Sequence, residues 1–513
     1  MSFLIKGVVM RRISVLSVAL LVAVPAVANN VVGKSYRTNH SVFGAASPER
    51  VAMARSDRME RKDEGKGGSL ELVGLWSRSS AEQDLRDYYL PAGGKTKLVA
   101  GELGSDAYIA GTSDILASYF NVNTAATSGT NFTSLTFQSE LTFHPRQSVM
   151  GVGLQWQQQF KGWFFKVSAP VVKVTNDLRM TEEVIEEGGG AVPSDSVGTM
   201  VDAFKQEAML YGKIDGKREK WGVADVELVV GRNWLDEDKC QVSSYLGLVV
   251  PTGKKPNAEY LAEAVVGNNG HFGLMFGSEM RHTWKEGDNY TLSICCESNG
   301  RYLFENTQKR SVDLQGRPWS RYIWLTKSDA GSFTGLDFGS DLEYGVNILT
   351  QDVKVSPRGA FTANTALNFR RENGLELEAG FNFYARQAEE VVLKEAFANA
   401  DEYGIPALDN SLNGWQADES CSFATIKNAY QELGDTDLSS GNEVFNPIAE
   451  ADLDLNSAAH PAVIENTFYG VVGMNWDECR FPAFASAGGS YTYSADNAGT
   501  SRWAVFAKLG LSF

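Results

Sequence analysis

Residues 503–513 read Trp503-Ala504-Val505-Phe506-Ala507-Lys508-Leu509-Gly510-Leu511-Ser512-Phe513. Every odd position is apolar. The even positions (Ala504, Phe506, Lys508, Gly510, Ser512) are smaller or more polar on the whole. A strand sends successive side chains to opposite faces, so this stretch has one greasy face and one wetter face. Phe513 is the last residue of the chain.

The alternation and the terminal Phe resemble the last strand of Gram-negative outer-membrane β-barrels. That resemblance implies a cell outer membrane location and contact with its lipid and lipopolysaccharide. It also makes Trp503, Leu509, Leu511 and Phe513 a signal for the barrel-assembly machinery. The other end of the chain agrees. Lys6, Arg11 and Arg12 precede an apolar run from Ile13 to Val27, and Ala26-Val27-Ala28 has the small-x-small form of a cleavage site. Residues 1–28 therefore read as a signal peptide cleaved near Ala28. About 15 apolar residues is short for a membrane anchor, and no Cys precedes Cys240 to carry a lipoprotein anchor.

Beyond residue 28 no run of 18 apolar residues occurs, which leaves a closed barrel as the way to cross a membrane; the alternative is an exported soluble β-protein. The content of 50 glycines, 11 Trp, 18 Tyr and 27 Phe against 14 prolines suits strands and aromatic girdles. The formal net charge of −16, about −19 without the three basic leader residues, argues against nucleic acid.

Alternating segments recur. Residues 352–370 and 375–384 flank Glu372-Asn373-Gly374, where Asn-Gly supplies the positive φ of a hairpin turn. Others are 69–78, 110–124, 132–143, 149–160, 163–175, 221–234, 240–251, 270–284, 288–310, 463–476 and 480–493. The expected fold is all-β: a transmembrane antiparallel up-and-down β-barrel of about 14 strands, with 12 or 16 as alternatives. Its domains are a leader (1–28), a polar segment in the periplasm or plugging the lumen, or without structure (29–68), and the barrel (69–513). Tracing back from Phe513, the short turns fall on one side. The long connections 176–220, 252–269, 311–351 and 389–462 fall on the other, the extracellular side. Met200–Tyr211 and Ser422–Gly434 have helical spacing within those loops, as surface helices or as a lid.

Strand parity also gives a lumen-facing set. Its acids are Glu140, Asp225, Glu227, Glu297, Glu376 and Glu378, and its bases are Lys166, Lys354, Arg358, Arg370, Arg502 and Lys508. Charges of both signs are tolerated in a watery lumen, where opposed signs set up a field that filters polar solutes. The expectation is a porin-like channel for small polar solutes. The alternatives are a structural or surface-interaction barrel with a plugged lumen, or a hydrophobic-ligand transporter. Val249-Val250-Pro251-Thr252-Gly253-Lys254-Lys255-Pro256 resembles a strand-to-loop transition in fatty-acid-transporter-like channels, over fewer than ten residues.

Enzyme chemistry is not expected. His40, His144, His271, His282 and His460 are scattered, no GxSxG occurs, and no catalytic triad pattern is present. The five cysteines form no CxxC, so no metal site or other cofactor is expected. Asp435-x-Asp437-x-Ser439 and Asp452-x-Asp454-x-Asn456 begin like calcium loops but lack the later Gly and Glu positions. Nothing marks an oligomer face.

Overall fold

The computed structural model describes residues 32–38, 43–53, 66–91, 95–101, 114–120, 137–187, 197–237, 239–327, 342–404, 430–432, 443–445, 447–494 and 498–513. The expected leader lies outside the described residues, as do His40, Cys421 and the first acidic motif.

Twelve strands form a closed ring. In chain order they are β1 (Lys66–Ser79), β2 (Arg146–Phe160), β3 (Trp163–Asp177), β4 (Val226–Glu237), β5 (Cys240–Val250) and β6 (Gly273–Glu286). Then come β7 (Tyr290–Leu303), β8 (Arg358–Arg371), β9 (Leu375–Arg386), β10 (Val463–Trp476), β11 (Ala483–Ser494) and β12 (Arg502–Ser512). Each pairs antiparallel with its neighbours in sequence, and β12 closes on β1 in the register Ser69↔Ser512 to Ser79↔Arg502. The ring therefore has no free edge.

The twelve are the fourteen expected strands less two. Gln138–Phe143, from the expected strand 132–143, pairs with Lys97–Gly101 and Met180–Glu186 in a separate sheet. In 110–124 the described residues, 114–120, form the two-residue strand Ile115–Leu116 and a short 3-10 turn, Ala117–Phe120. The described parts of both segments lie in a layer beyond one barrel end, where alternation marks a sheet on a packed core and mimics a membrane strand.

Three expected strands also break as they leave the ring. Segment 352–370 divides at Pro357, which lacks an N–H, and at Arg358, whose φ of 63° is left-handed. Segment 288–310 divides between Leu303 and Asn306, and 221–234 between Val223 and Val226. The outer pieces Asn306–Ser311 and Thr350–Ser356 pair with each other, and Glu390–Leu393 joins them.

The turns sort by end. At one end the connections are a few residues long. Lys161 and Gly162, both with positive φ, make the tight β2–β3 hairpin. Gly374 (φ 87°) closes the β8–β9 turn, and a Cβ there would meet the Asn475 carbonyl oxygen at 2.2 Å. At the other end the long connections build a cap around an apolar core that includes Leu85, Tyr88, Phe143, Phe204, Trp319 and Tyr322. Met200–Ala203 is helical, capped by the Thr199 hydroxyl, but the helix stops after one turn. The second expected helix, Ser422–Gly434, is not helical where described: Tyr430–Glu432 pairs as a strand with Glu443–Phe445.

Candidate functional site

The two faces of the ring differ sharply. On β12, Leu509 is 56% exposed while Lys508 beside it is 0% exposed. Leu70, Leu72, Trp76, Met150, Leu154, Trp156, Phe276, Leu367, Phe468, Val472 and Val505 continue the exposed apolar belt around the ring. Such a belt outside a closed ladder, with polar groups inside, is the arrangement lipid demands of strands. This is an outer-membrane β-barrel. Leu509, Leu511 and Phe513 lie on its lipid face, and Trp503 packs edge-on against Trp76 at 4.6 Å.

Inside runs an ordered set of charge pairs, and the N-terminal segment is part of it. Lys508 Nζ donates to the carbonyl oxygens of Arg50 (2.7 Å) and Ala52 (3.0 Å) and lies 2.9 Å from Glu71 Oε1. Arg50 in turn donates to Gln155 Oε1 (2.7 Å) and Glu227 Oε2 (2.5 Å). Arg301 reaches the other oxygen of Glu227 at 3.0 Å. Glu378 accepts from the Met53 amide (3.0 Å) and from Asn368 (2.9 Å). Asn382 donates to the Ala46 carbonyl oxygen at 2.7 Å. Residues 43–53 thus bond to β2, β4, β9 and β12 across the interior.

Upstream, residues 33–35 bond into the cap, as in Lys34 N to the Tyr88 carbonyl oxygen (2.8 Å) and Ser35 N to that of Ser457 (3.0 Å). Arg386 donates to the Thr38 hydroxyl where cap and ring meet.

Other predicted residues fall in the same interior. Lys166 pairs with Glu279 (3.1 Å), Arg502 grips Glu465 through two 2.9 Å bonds, and Glu376 accepts from Asn368 (2.6 Å) and Asn475 (2.5 Å). Glu297 is half-buried on β7. Asp225 is buried just before β4 and accepts from the Asn268 amide at 2.7 Å. Arg370 pairs with Asp477 at the short-turn rim.

Three predicted lumen residues lie elsewhere. Glu140 pairs with Lys97 on the cap sheet, because its strand is not in the ring. Lys354 is exposed on the outer piece Thr350–Ser356. Arg358, at the chain break, is half-exposed on the mouth rim and pairs with Glu390. Glu71, Glu279, Arg301 and Glu465 were missed. Glu71 alternates with Leu70 and Leu72, so its facing was readable. Arg301 shares the parity of Glu297 on β7, so its facing was readable too.

The cap carries its own buried charges. Arg310 (3.2 Å) and Arg386 (2.7 Å) share Glu389. Burial alone would raise the Glu389 carboxyl, but the two guanidiniums overcome it and hold it at about 2. Burial, reinforced by Arg386, pushes His460 down to about 3, and burial pushes His271 down to about 4. Among the described residues no group of three or more His, Cys, Asp or Glu could hold a metal ion.

No family model and no curated protein matches the chain. Among solved structures it is similar to an outer membrane channel from Pseudomonas putida F1, at 7% identity and TM-score 0.36, covering 88% of this chain and 99% of that one. It is also similar to the CymD monoaromatic hydrocarbon channel (8%, TM-score 0.30, 94% and 98% covered). A Pseudomonas aeruginosa FadL homologue matches at 8% identity and TM-score 0.28, with 94% and 98% covered.

Proposed function

We propose that the protein is an outer-membrane transport barrel whose lumen is closed by its own N-terminal segment and opens only when that segment shifts. The observation that carries this reading is Lys508. It is wholly buried in the barrel wall and holds two backbone carbonyls of residues 50–52 together with Glu71. An open polar channel would leave its lining charges to water, whereas Glu227, Glu279, Glu378, Lys166 and Lys508 are engaged with one another or with the segment. Free diffusion of small polar solutes is therefore disfavoured relative to gated passage.

A second reading, uptake of an apolar ligand, draws on the cavity at the barrel mouth, whose wall includes Ala45, Leu303, Pro357 and Ala360. Both readings share the closed resting state. Planar-bilayer recording tests it. The intact protein is expected to be silent or to flicker, and a chain lacking residues 43–53 to give stable conductance steps. Stable steps of equal size from both would overturn the reading.

A further inference from the structure

The mouth cavity, open in part to solvent, lies between the N-terminal segment and the outer ends of β7, β8 and β9. Among the described residues its wall holds three arginines, Arg301, Arg358 and Arg386, and no carboxylate. Arg301 is only 9% exposed, and its Nη1 has no hydrogen-bond partner among the described residues. A buried guanidinium N–H left unpaired is unfavourable, so a group that accepts from it would stabilise the site.

Ion pairs behind that wall hold the guanidiniums in place. Arg50 and Arg301 share one carboxylate, Glu227, and Arg310 and Arg386 share another, Glu389. Glu297 also acts on Arg50, and Asp225, beside Gly267 of the wall, acts on Arg301. Only Arg358, on the rim, has a carboxylate to itself among these pairs, Glu390. A planar fork of N–H donors matches a carboxylate. The small apolar surfaces of Ala45 and Leu303 suit the organic part of such an anion.

We propose that this cavity binds a small organic carboxylate, with Arg301 as its principal anchor and Arg386 and Arg358 completing the cationic wall. The proposal rests on the gated reading only for its purpose, since Ala45 and Ser47 of the segment also line the cavity and a bound anion would touch the gate. Binding is measurable on the closed barrel whether or not it conducts.

The test is isothermal titration of the full protein in an uncharged detergent with benzoate, its neutral analogue benzamide, and inorganic phosphate. Benzoate is expected to bind saturably and benzamide at least tenfold more weakly, the loss of one charge-assisted bond being about that large. Arg301→Gln should weaken benzoate about tenfold. Arg358→Gln, at a half-exposed rim position, should weaken it about threefold. Heat-modifiable migration on a gel verifies that each variant is a closed barrel. Equal binding of benzoate and benzamide, no effect of either substitution, or phosphate binding as tightly as benzoate would overturn the proposal.

Discussion

The barrel interior and the cap core are both hidden from water, yet they are filled with opposite chemistry. The interior is packed with paired charges, amides and the polar backbone of residues 43–53. The cap core is a cluster of rings: Trp319 lies 5.5 Å from Phe204 and 5.3 Å from Tyr322, and its indole N–H donates to the Tyr89 carbonyl oxygen at 2.6 Å. The reason lies on the far side of each wall. Barrel strands turn their apolar face to lipid, so their inner face must be polar. Cap strands have water outside, so they turn apolar residues inward.

Breaking one ion pair in each region should therefore have unequal consequences. Lys508→Met leaves Glu71 and two carbonyls without their shared donor, and should destabilise the barrel by about 3–5 kcal/mol in urea unfolding. Trp319→Ala removes the centre of the cap cluster at a loss of similar order, about 3–5 kcal/mol, but confined to the cap. Near-ultraviolet circular dichroism should fall while heat-modifiable migration persists. Glu140→Gln breaks a solvent-screened pair with Lys97 and should change stability by less than about 1 kcal/mol. An effect of Glu140→Gln equal to that of Lys508→Met would erase the distinction between the regions.

Acid should separate them as well. Folded His460 and His271 stay neutral, with values of about 3 and about 4 against an ordinary 6.5. Unfolding therefore takes up protons, so the stability these groups contribute is complete above pH 6.5 and is lost as pH falls toward 4 and 3. Glu389 resists longer, because its contribution fades only between its ordinary 4.5 and about 2. The cap signal in near-ultraviolet dichroism is expected to decay between pH 6.5 and 4 while the barrel still migrates as folded. A flat signal over that range would contradict the assignment of buried neutral histidines.

The same contrast explains what could be read from the chain. A two-residue period with lipid on one side writes itself plainly, so β12, β8, β9 and the Asn373-Gly374 turn were found. Segments 110–124 and 132–143 misled because a cap strand such as Gln138–Phe143 alternates as strictly as a membrane strand. Arg50 and Arg301 gave no signal of their partnership, since Glu227 joins them across 177 and 74 residues of sequence. Parity assigns a face; it does not say what crosses the interior to meet it.

The central claim is that residues 43–53 fill the barrel, and Ser47 tests it most directly. It is 4% exposed, its hydroxyl has no partner among the described residues, and Ser47→Cys is nearly isosteric. The native Cys479, exposed on a short turn, serves as the internal reference once the other four cysteines are replaced by serine. Labelling by a hydrophilic maleimide in detergent should modify Cys479 promptly and position 47 at least about tenfold more slowly, as opening of the interior requires. Equal rates at the two positions would contradict the account.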